Sequence, residues 1–393
     1  MLYPNVFLKC RGRKNMAMIL NEDQTMLQDS AREFIKNAAP AAHFREFRDM
    51  QCKDGFSHGL WKQFSEMGFT GLLIPEEEGG LGLGHIEAGI ILEQVGRNLS
   101  PSPFLTTSVA GVEALKAAST DMRARWFPGI IAGETVIGLA IDESAKHRPD
   151  HIACTAERSG NGFKLSGKKQ FVLQGASSDM IIVAARTSGS AGETGGLTLF
   201  AVEIECAGMT MDAVRLVDSS VAAHITFDGV ELTADAVIGD VDNGWSVLSR
   251  ILDAGRAGAA AEMVGVGSGA MDMTFDYLKQ RKQFGKVIGE FQALQHRAAH
   301  LYGEMEMARS VVLKAQNFLD EGDERAAMYT AAAKAKSGQA CNLAVREGLQ
   351  MHGGIGMTDE YDIGLYMKRD RSLNEFFGDA YFHADRVATM NGY

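Results

Sequence analysis

Three short stretches carry residue types that could do chemistry. In "SLNEFFGDAYF", residues 372–382, Glu375 and Asp379 flank an aromatic pair and a glycine. A carboxylate at either position could act as a general acid or base if the proton to be moved came within hydrogen-bond reach. In "QRKQFGKVIGEFQ", Arg281 and Phe284 are followed by Gly285, Phe291 and Gln292. An arginine gives phosphate oxygens a planar, permanently charged donor, and a phenylalanine gives a ring an apolar surface. In "GLQMHGGIGM", Gln350 precedes Gly353, Gly354 and Gly356. Glycines after a helix let backbone N–H groups come close to an anion. Taken singly, each stretch also reads as a solvated acid, a helix end with a capping glycine or a plain turn.

The elements that must position these residues fall into three blocks. Asn21 with Gln24 three residues on matches a capping box, and Leu27, Ala31, Phe34 and Ile35 then share one helical face. Leu60, Trp61, Phe64 and Met67 repeat that period, "IPEEEGGLGLG" breaks it and "HIEAGIILEQVGRNL" restarts it, so residues 20–133 read as helical. From 134 to 242 short runs rich in Val, Ile, Phe and Thr alternate with turn residues. Their spacing is too close for βαβ units, which predicts an antiparallel sheet or small barrel. From Asn243, placed to cap, helical periodicity lasts to residue 393. Residues 254–270 are crowded with Gly and Ala. Each glycine costs about 1 kcal/mol of helix propensity against alanine, so close approach of another backbone or of a ligand is expected there. Long amphipathic helices follow, as in an antiparallel bundle. The fold class is therefore α+β: a helical domain, a middle antiparallel β domain and a C-terminal helical bundle.

Composition narrows the function. A length of 393 residues suits two or three domains, and a net charge of −11 argues against a general nucleic-acid binder, which must neutralise phosphates. Five scattered cysteines show neither C-x-x-C nor metal-ligand spacing. They predict no metal and reduced thiols in a reducing compartment, the cytoplasm. No apolar run reaches the roughly 18 residues of a membrane span. Residues 1–19 hold Lys9, Arg11, Arg13 and Lys14 and read as a flexible extension in preference to a transit peptide.

Together with "YMKRDRS" (Arg369, Asp370), "GLLIPEEEGGLGLG" and "ILEQVGR", and in this helix–sheet–helix order, the motifs resemble the acyl-CoA dehydrogenase family of flavoproteins over residues 20–385. The resemblance implies FAD as cofactor, an acyl-CoA substrate and electron-transfer flavoprotein as electron acceptor. It implies loss of the α-proton to a carboxylate and of the β-hydride to the flavin. It also implies an oligomer, because the family holds the adenosine end of each FAD partly with a neighbouring subunit. The matching positions here are Arg281, Phe284, Gln292, Gln350, Gly353 and Gly354, with Phe171 in "KKQFVLQG" on the flavin-ring side.

The catalytic half of the pattern departs from the family. The two usual positions of the base fall on Gly378 and Gly255. Asp379, one residue on, displaces the Cα by about 3.8 Å; with Arg256, beside Gly255, it is the catalytic candidate. The loop "AIDESAKHRPDHIACTA" has Asp142 in place of a threonine, and Leu173 replaces a hydroxyl near the flavin. One reading is an FAD-dependent dehydrogenase working as a homo-oligomer, or as a hetero-oligomer with a glutamate-bearing homologue. The alternative is a catalytically silent partner that completes a sister subunit's FAD site. A flavin monooxygenase on the same fold is a weaker third. Gly255 and Gly378 also remove bulk, which predicts room for a larger or branched acyl group.

Overall fold

The computed structural model describes residues 19–393; the extension predicted for residues 1–19 lies outside them except for Ile19. Helices α1 (Glu22–Ala38), α2 (Ala41–Asp49), α3 (His58–Glu66) and α4 (His85–Arg97) come first. A π-helical turn, Leu105–Gly111, runs into α5 (Val112–Leu115), and α6 (Thr120–Ile131) follows. The capping box forms as expected: Gln24 N donates to Asn21 Oδ1 at 2.8 Å and Asn21 N to Gln24 Oε1 at 3.0 Å.

Eight strands then build one sheet: β1 (Ile137–Ala140), β2 (Thr155–Ser159), β3 (Gly162–Leu173), β4 (Met180–Arg186), β5 (Leu197–Glu203), β6 (Met209–Arg215), β7 (Val221–Leu232) and β8 (Val237–Ile238). Their order is β6-β7-β3-β1-β4-β5-β8, with β2 beside β3 and β4. Most pairings are antiparallel, as the closely spaced strands require. The exceptions are β1, which lies parallel to β4 from Ile137↔Met180 to Ala140↔Val183, and a single parallel pair, Thr155↔Arg186. All four residues of β1 are buried, as expected of a strand covered on both faces. The β3–β7 ladder slips between Lys169 and Val172. This bulge puts Phe171 in the left-handed region at φ +50°.

The last block opens with α7 (Gly244–Gln280), a single 37-residue helix. A hairpin of β9 (Lys282–Gln283) and β10 (Lys286–Val287) links it to α8 (Gln292–Glu321), and α9 (Ala326–His352), α10 (Ile363–Glu375) and α11 (Ala380–Met390) complete the bundle. Asn243 stands at the start of α7, but its side chain makes no capping hydrogen bond. The Gly/Ala-rich stretch answers to a backbone. A Cβ on Gly265 would stand 2.0 Å from Glu93 O, and one on Gly96 would stand 2.1 Å from Glu262 O. The backbones of α4 and α7 thus touch where neither residue has a side chain. One apolar core runs from Leu27 on α1 through Ile182 on β4 to Ala344 on α9.

This contact sets a prediction. Gly265→Ala should destabilise the chain by about 1–3 kcal/mol, as overpacking does. Gly303→Ala on the exposed side of α8, where nothing lies within 4 Å of the new methyl, should stabilise it by about 0.5–1 kcal/mol. Urea unfolding of both variants checks the order; a harmless methyl at 265 would disprove the backbone contact.

Candidate active site

The turn between α10 and α11 is where the acid–base candidates sit. Phe377 is left-handed at φ +59° and Gly378 at φ +100°. A bulky residue there stores about 1–3 kcal/mol of strain, which the surroundings must hold. Asp379 is the N-cap of α11: its carboxylate accepts from Phe382 N at 2.7 Å. Glu375 is exposed and pairs with Arg371 at 3.0 Å.

Neither glycine opens space for an acyl group, contrary to the sequence expectation. A Cβ on Gly255 would meet the Phe377 ring at 2.8 Å, and one on Gly378 would meet Phe382 Cδ1 at 2.5 Å and His383 Nε2 at 3.0 Å. Aromatic rings fill the volume that the two missing side chains leave.

Buried polar groups clamp this turn. His383 Nε2 donates to Phe377 O at 2.9 Å. Lys334 Nζ donates to Asn374 O at 3.1 Å and to Gly378 O at 2.9 Å. Arg256 Nε points at Phe377 O from 3.4 Å. Burial, with Arg256 and Lys334 nearby, pushes His383 down to about 2, so its ring is neutral. Burial also pushes Lys334 down to about 7, against the pull of Asp370, Asp379 and Glu375. A neutral amine still has two N–H groups for two carbonyls.

Arg256 connects the turn to the sheet. It is 2% exposed, and its Nη1 donates to Asp253 Oδ1 at 2.9 Å. Burial, reinforced by Arg386 and opposed by Asp253, brings its guanidinium down to about 10. Its Nη2 faces His147 Nε2 at 3.5 Å. His147 Nδ1 lies 2.9 and 3.1 Å from the two Asp142 oxygens, and the His147 ring stands edge-on to Phe382 at 5.3 Å. Asp142 belongs to the loop beside β3, because Gln170 N donates to Asp142 O at 2.8 Å. Phe171 is the next residue, 39% exposed, so one ring face is available beside that loop. Buried Lys169 fixes the same loop through Ile141 O at 3.0 Å and Glu143 at 2.7 Å.

Arg256, Asp379 and Phe171 are therefore neighbours through this network. His147, Asp253, Lys334 and His383 were not singled out from the sequence. The two sequence signals are the His five residues after Asp142 in the altered loop and a lysine inside the alanine-rich face "AAAKAKSGQA".

The remaining candidates lie at the other end of α7. From Gly255 to Arg281 the chain climbs 26 residues, roughly 39 Å at 1.5 Å per residue. Tyr277 stacks on His352 at 4.5 Å, which ties the end of α7 to the end of α9. Arg281 follows α7, is exposed and has no ion-pair partner among the described residues. Phe284, at the hairpin tip, is 91% exposed. Gln292, Gln350, Gly353 and Gly354 are exposed too, and no atom lies within 4 Å of a Cβ built on either glycine. The end of the bundle thus presents a cation, an aromatic face, amides and open backbone outward. This set fits the adenosine half of a flavin dinucleotide.

Comparison with known proteins gives the family. The sequence pattern of the acyl-CoA dehydrogenase N-terminal domain matches residues 21–134, and that of the acyl-CoA dehydrogenase C-terminal domain matches residues 242–390. The chain belongs to the acyl-CoA dehydrogenase family. The acyl-CoA dehydrogenase FadE12 of Mycobacterium tuberculosis is 30% identical over 361 residues, 89% of this chain and 92% of that protein. The Caffeyl-CoA reductase-Etf complex subunit CarC of Acetobacterium woodii is 28% identical over 354 residues, 88% of this chain and 92% of that protein. The solved structure of the Tcur3481-Tcur3483 steroid ACAD is 28% identical, with a TM-score of 0.85 over 94% of this chain and 98% of that one. As a member of the acyl-CoA dehydrogenase family, the chain is a flavoprotein, and its cofactor is FAD.

Among the described residues no cluster of His, Cys, Asp or Glu could hold a metal ion, and no helix is long and apolar enough to cross a membrane. The four described cysteines, Cys52, Cys154, Cys206 and Cys341, are unpaired; Cys10 lies outside the described residues.

Two outcomes follow from the clamped turn. Gly378→Glu should lower the thermal midpoint rather than install a base, since both φ +100° and the Phe382 ring oppose a side chain. Lys334 falls from an ordinary 10.5 to about 7 on folding. Between those values the unfolded chain binds a proton that the folded chain does not, so stability gains with rising pH. Wild-type stability relative to Lys334→Met should be flat below pH 7 and rise from pH 7 towards 10.5. Denaturant titrations across pH test this, and a pH-independent difference would refute it.

Proposed function

We propose that this chain is a subunit of an FAD-dependent acyl-CoA dehydrogenase that removes the α-proton and β-hydride of an acyl-CoA thioester. It does so in an oligomer, either a homodimer or homotetramer or a hetero-oligomer with a glutamate-bearing homologue. The supporting observation is the outward set at the end of α7: Arg281 exposed and without an ion-pair partner among the described residues, Phe284 91% exposed and the Gly353–Gly354 backbone open. It stands far from Phe171 and Arg256 along α7, so the two groups serve different cofactor molecules and the outward set faces a neighbour's.

In this reading Arg281 and the N–H groups of Gly353 and Gly354 hold phosphate oxygens. Phe284 offers an apolar face, Gln292 and Gln350 offer amides, and Phe171 packs on the ring of the chain's own flavin. FAD, when bound, supplies the hydride acceptor. Arg256 brings a buried positive charge beside the reacting carbons. Electron-transfer flavoprotein is the proposed acceptor, in keeping with the Etf complex named for the Acetobacterium relative. Residues 20–133, 134–242 and 243–393 act as three domains, and the proposed compartment is the cytoplasm, in keeping with unpaired thiols among the described residues.

A second reading is the silent partner that completes a sister's FAD site. What favours it is the packing of Phe377 on Gly255 and the N-cap role of Asp379. The steroid ACAD structure, named as a pair of proteins, is in keeping with a mixed assembly.

The absorbance spectrum of the purified chain, before and after acyl-CoA, separates the two. Yellow protein that bleaches with acyl-CoA supports the first reading. Colourless protein that becomes yellow and active only with a co-expressed homologue supports the second. In either assembly Arg281→Ala should weaken FAD retention roughly tenfold, the loss of one charge-assisted hydrogen bond; unchanged retention would remove Arg281 from the cofactor contacts.

A further inference from the structure

The dehydrogenase reading leaves the α-proton without an acceptor. Gly255 and Gly378 are covered by the Phe377 and Phe382 rings, Asp379 caps a helix and Glu375 faces solvent. One buried group of the right chemistry stands against both closed positions. His147 is 6% exposed. It faces Arg256, the neighbour of Gly255, at 3.5 Å. Its ring stands edge-on to Phe382, the side chain that closes Gly378. Its own loop adjoins Phe171, the ring-side surface, through the Gln170–Asp142 backbone bond.

The orientation of the ring suits a base. Asp142 can only accept, so the proton of the imidazole sits on Nδ1 and the Nε2 lone pair points towards α7. A carboxylate that fixes one nitrogen and leaves the other as an acceptor is a recurring acid–base arrangement; here Nε2 accepts from Arg256 Nη2 at 3.5 Å, a long contact that must give way as Nε2 takes a proton.

We propose that His147, oriented by Asp142 and facing Arg256, accepts the α-proton of the CoA thioester in this chain. The α-C–H bond breaks, its electron pair moves into the thioester as an enolate, and an N–H bond forms at Nε2. The resulting imidazolium remains paired with Asp142, and the Arg256 guanidinium lies beside the developing anion. This inference rests on the dehydrogenase reading.

The step can be read without the redox half. Acetyl-CoA and phenylacetyl-CoA have α-hydrogens and no β-hydrogens, so they can exchange with D2O but cannot be dehydrogenated. The chain is taken as purified, with any partner subunit it retains, and deuterium at the α-carbon is followed by mass spectrometry. Wild type should exchange above the buffer rate. His147→Gln should slow exchange by about 100-fold or more while the folded variant still binds thioester. Asp142→Asn, which keeps the ring in place and frees its tautomer, should slow it about tenfold and serves if His147→Gln fails to fold. Equal exchange in wild type and folded variants would overturn the proposal. So would a yellow wild type that binds thioester and exchanges nothing, which leaves the dehydrogenase reading standing. A colourless wild type without exchange would overturn both.

Discussion

The molecule is organised by a contact between two backbones. Where Gly96 on α4 meets Gly265 on α7, neither helix has a side chain to hold the other away. An α-helix this rich in glycine is weak in isolation, so its 37 residues depend on being surrounded. All of residues 251–271 are buried. In return α7 fixes where Gly255 and Arg256 stand against the sheet and where Arg281 leaves the bundle. Both candidate groups are referenced to this one helix.

Around its middle the protein buries charge. Asp142, His147, Arg256 and Asp253 form a continuous run, and Thr330 and Arg386 also approach Asp253, at 3.3 and 3.5 Å. Breaking such a run leaves an uncompensated charge in low dielectric, which destabilises strongly, although an intact run adds little net stability. Lys334 and His383 play a different part. They hold the carbonyls of a turn whose backbone, with Phe377 at φ +59°, would otherwise relax. The network thus explains why a strained aromatic pair persists at the site.

Much of the fold was legible because its signals are local. The Asn21–Gln24 box, the change from 3.6 to 2 periodicity near 134 and the glycine crowding of α7 each follow from a few adjacent residues. The exposed group at the end of α7 was legible for the same reason, since Arg281 to Gln292 and Gln350 to Gly354 are two continuous stretches. The centre of the site was not. That Gly255 is covered by Phe377 depends on a left-handed backbone 122 residues later in the chain. The partnership of His147 with Arg256 spans 109 residues. A lone histidine or lysine in sequence does not declare whether it is buried, nor which carbonyl it reaches. The parallel β1–β4 pairing escaped for a similar reason, since pairing direction is decided by the return path of the chain and not by strand composition.

The packed turn also limits what the chain can become. A glutamate placed at 378 would meet the Phe382 ring and a backbone angle that disfavours any side chain; one placed at 255 would meet Phe377. Each such acid needs a second change elsewhere before it is tolerated. The two positions are coupled to their covers: a design that sets out to place an acid at either one must choose its aromatic neighbour at the same time.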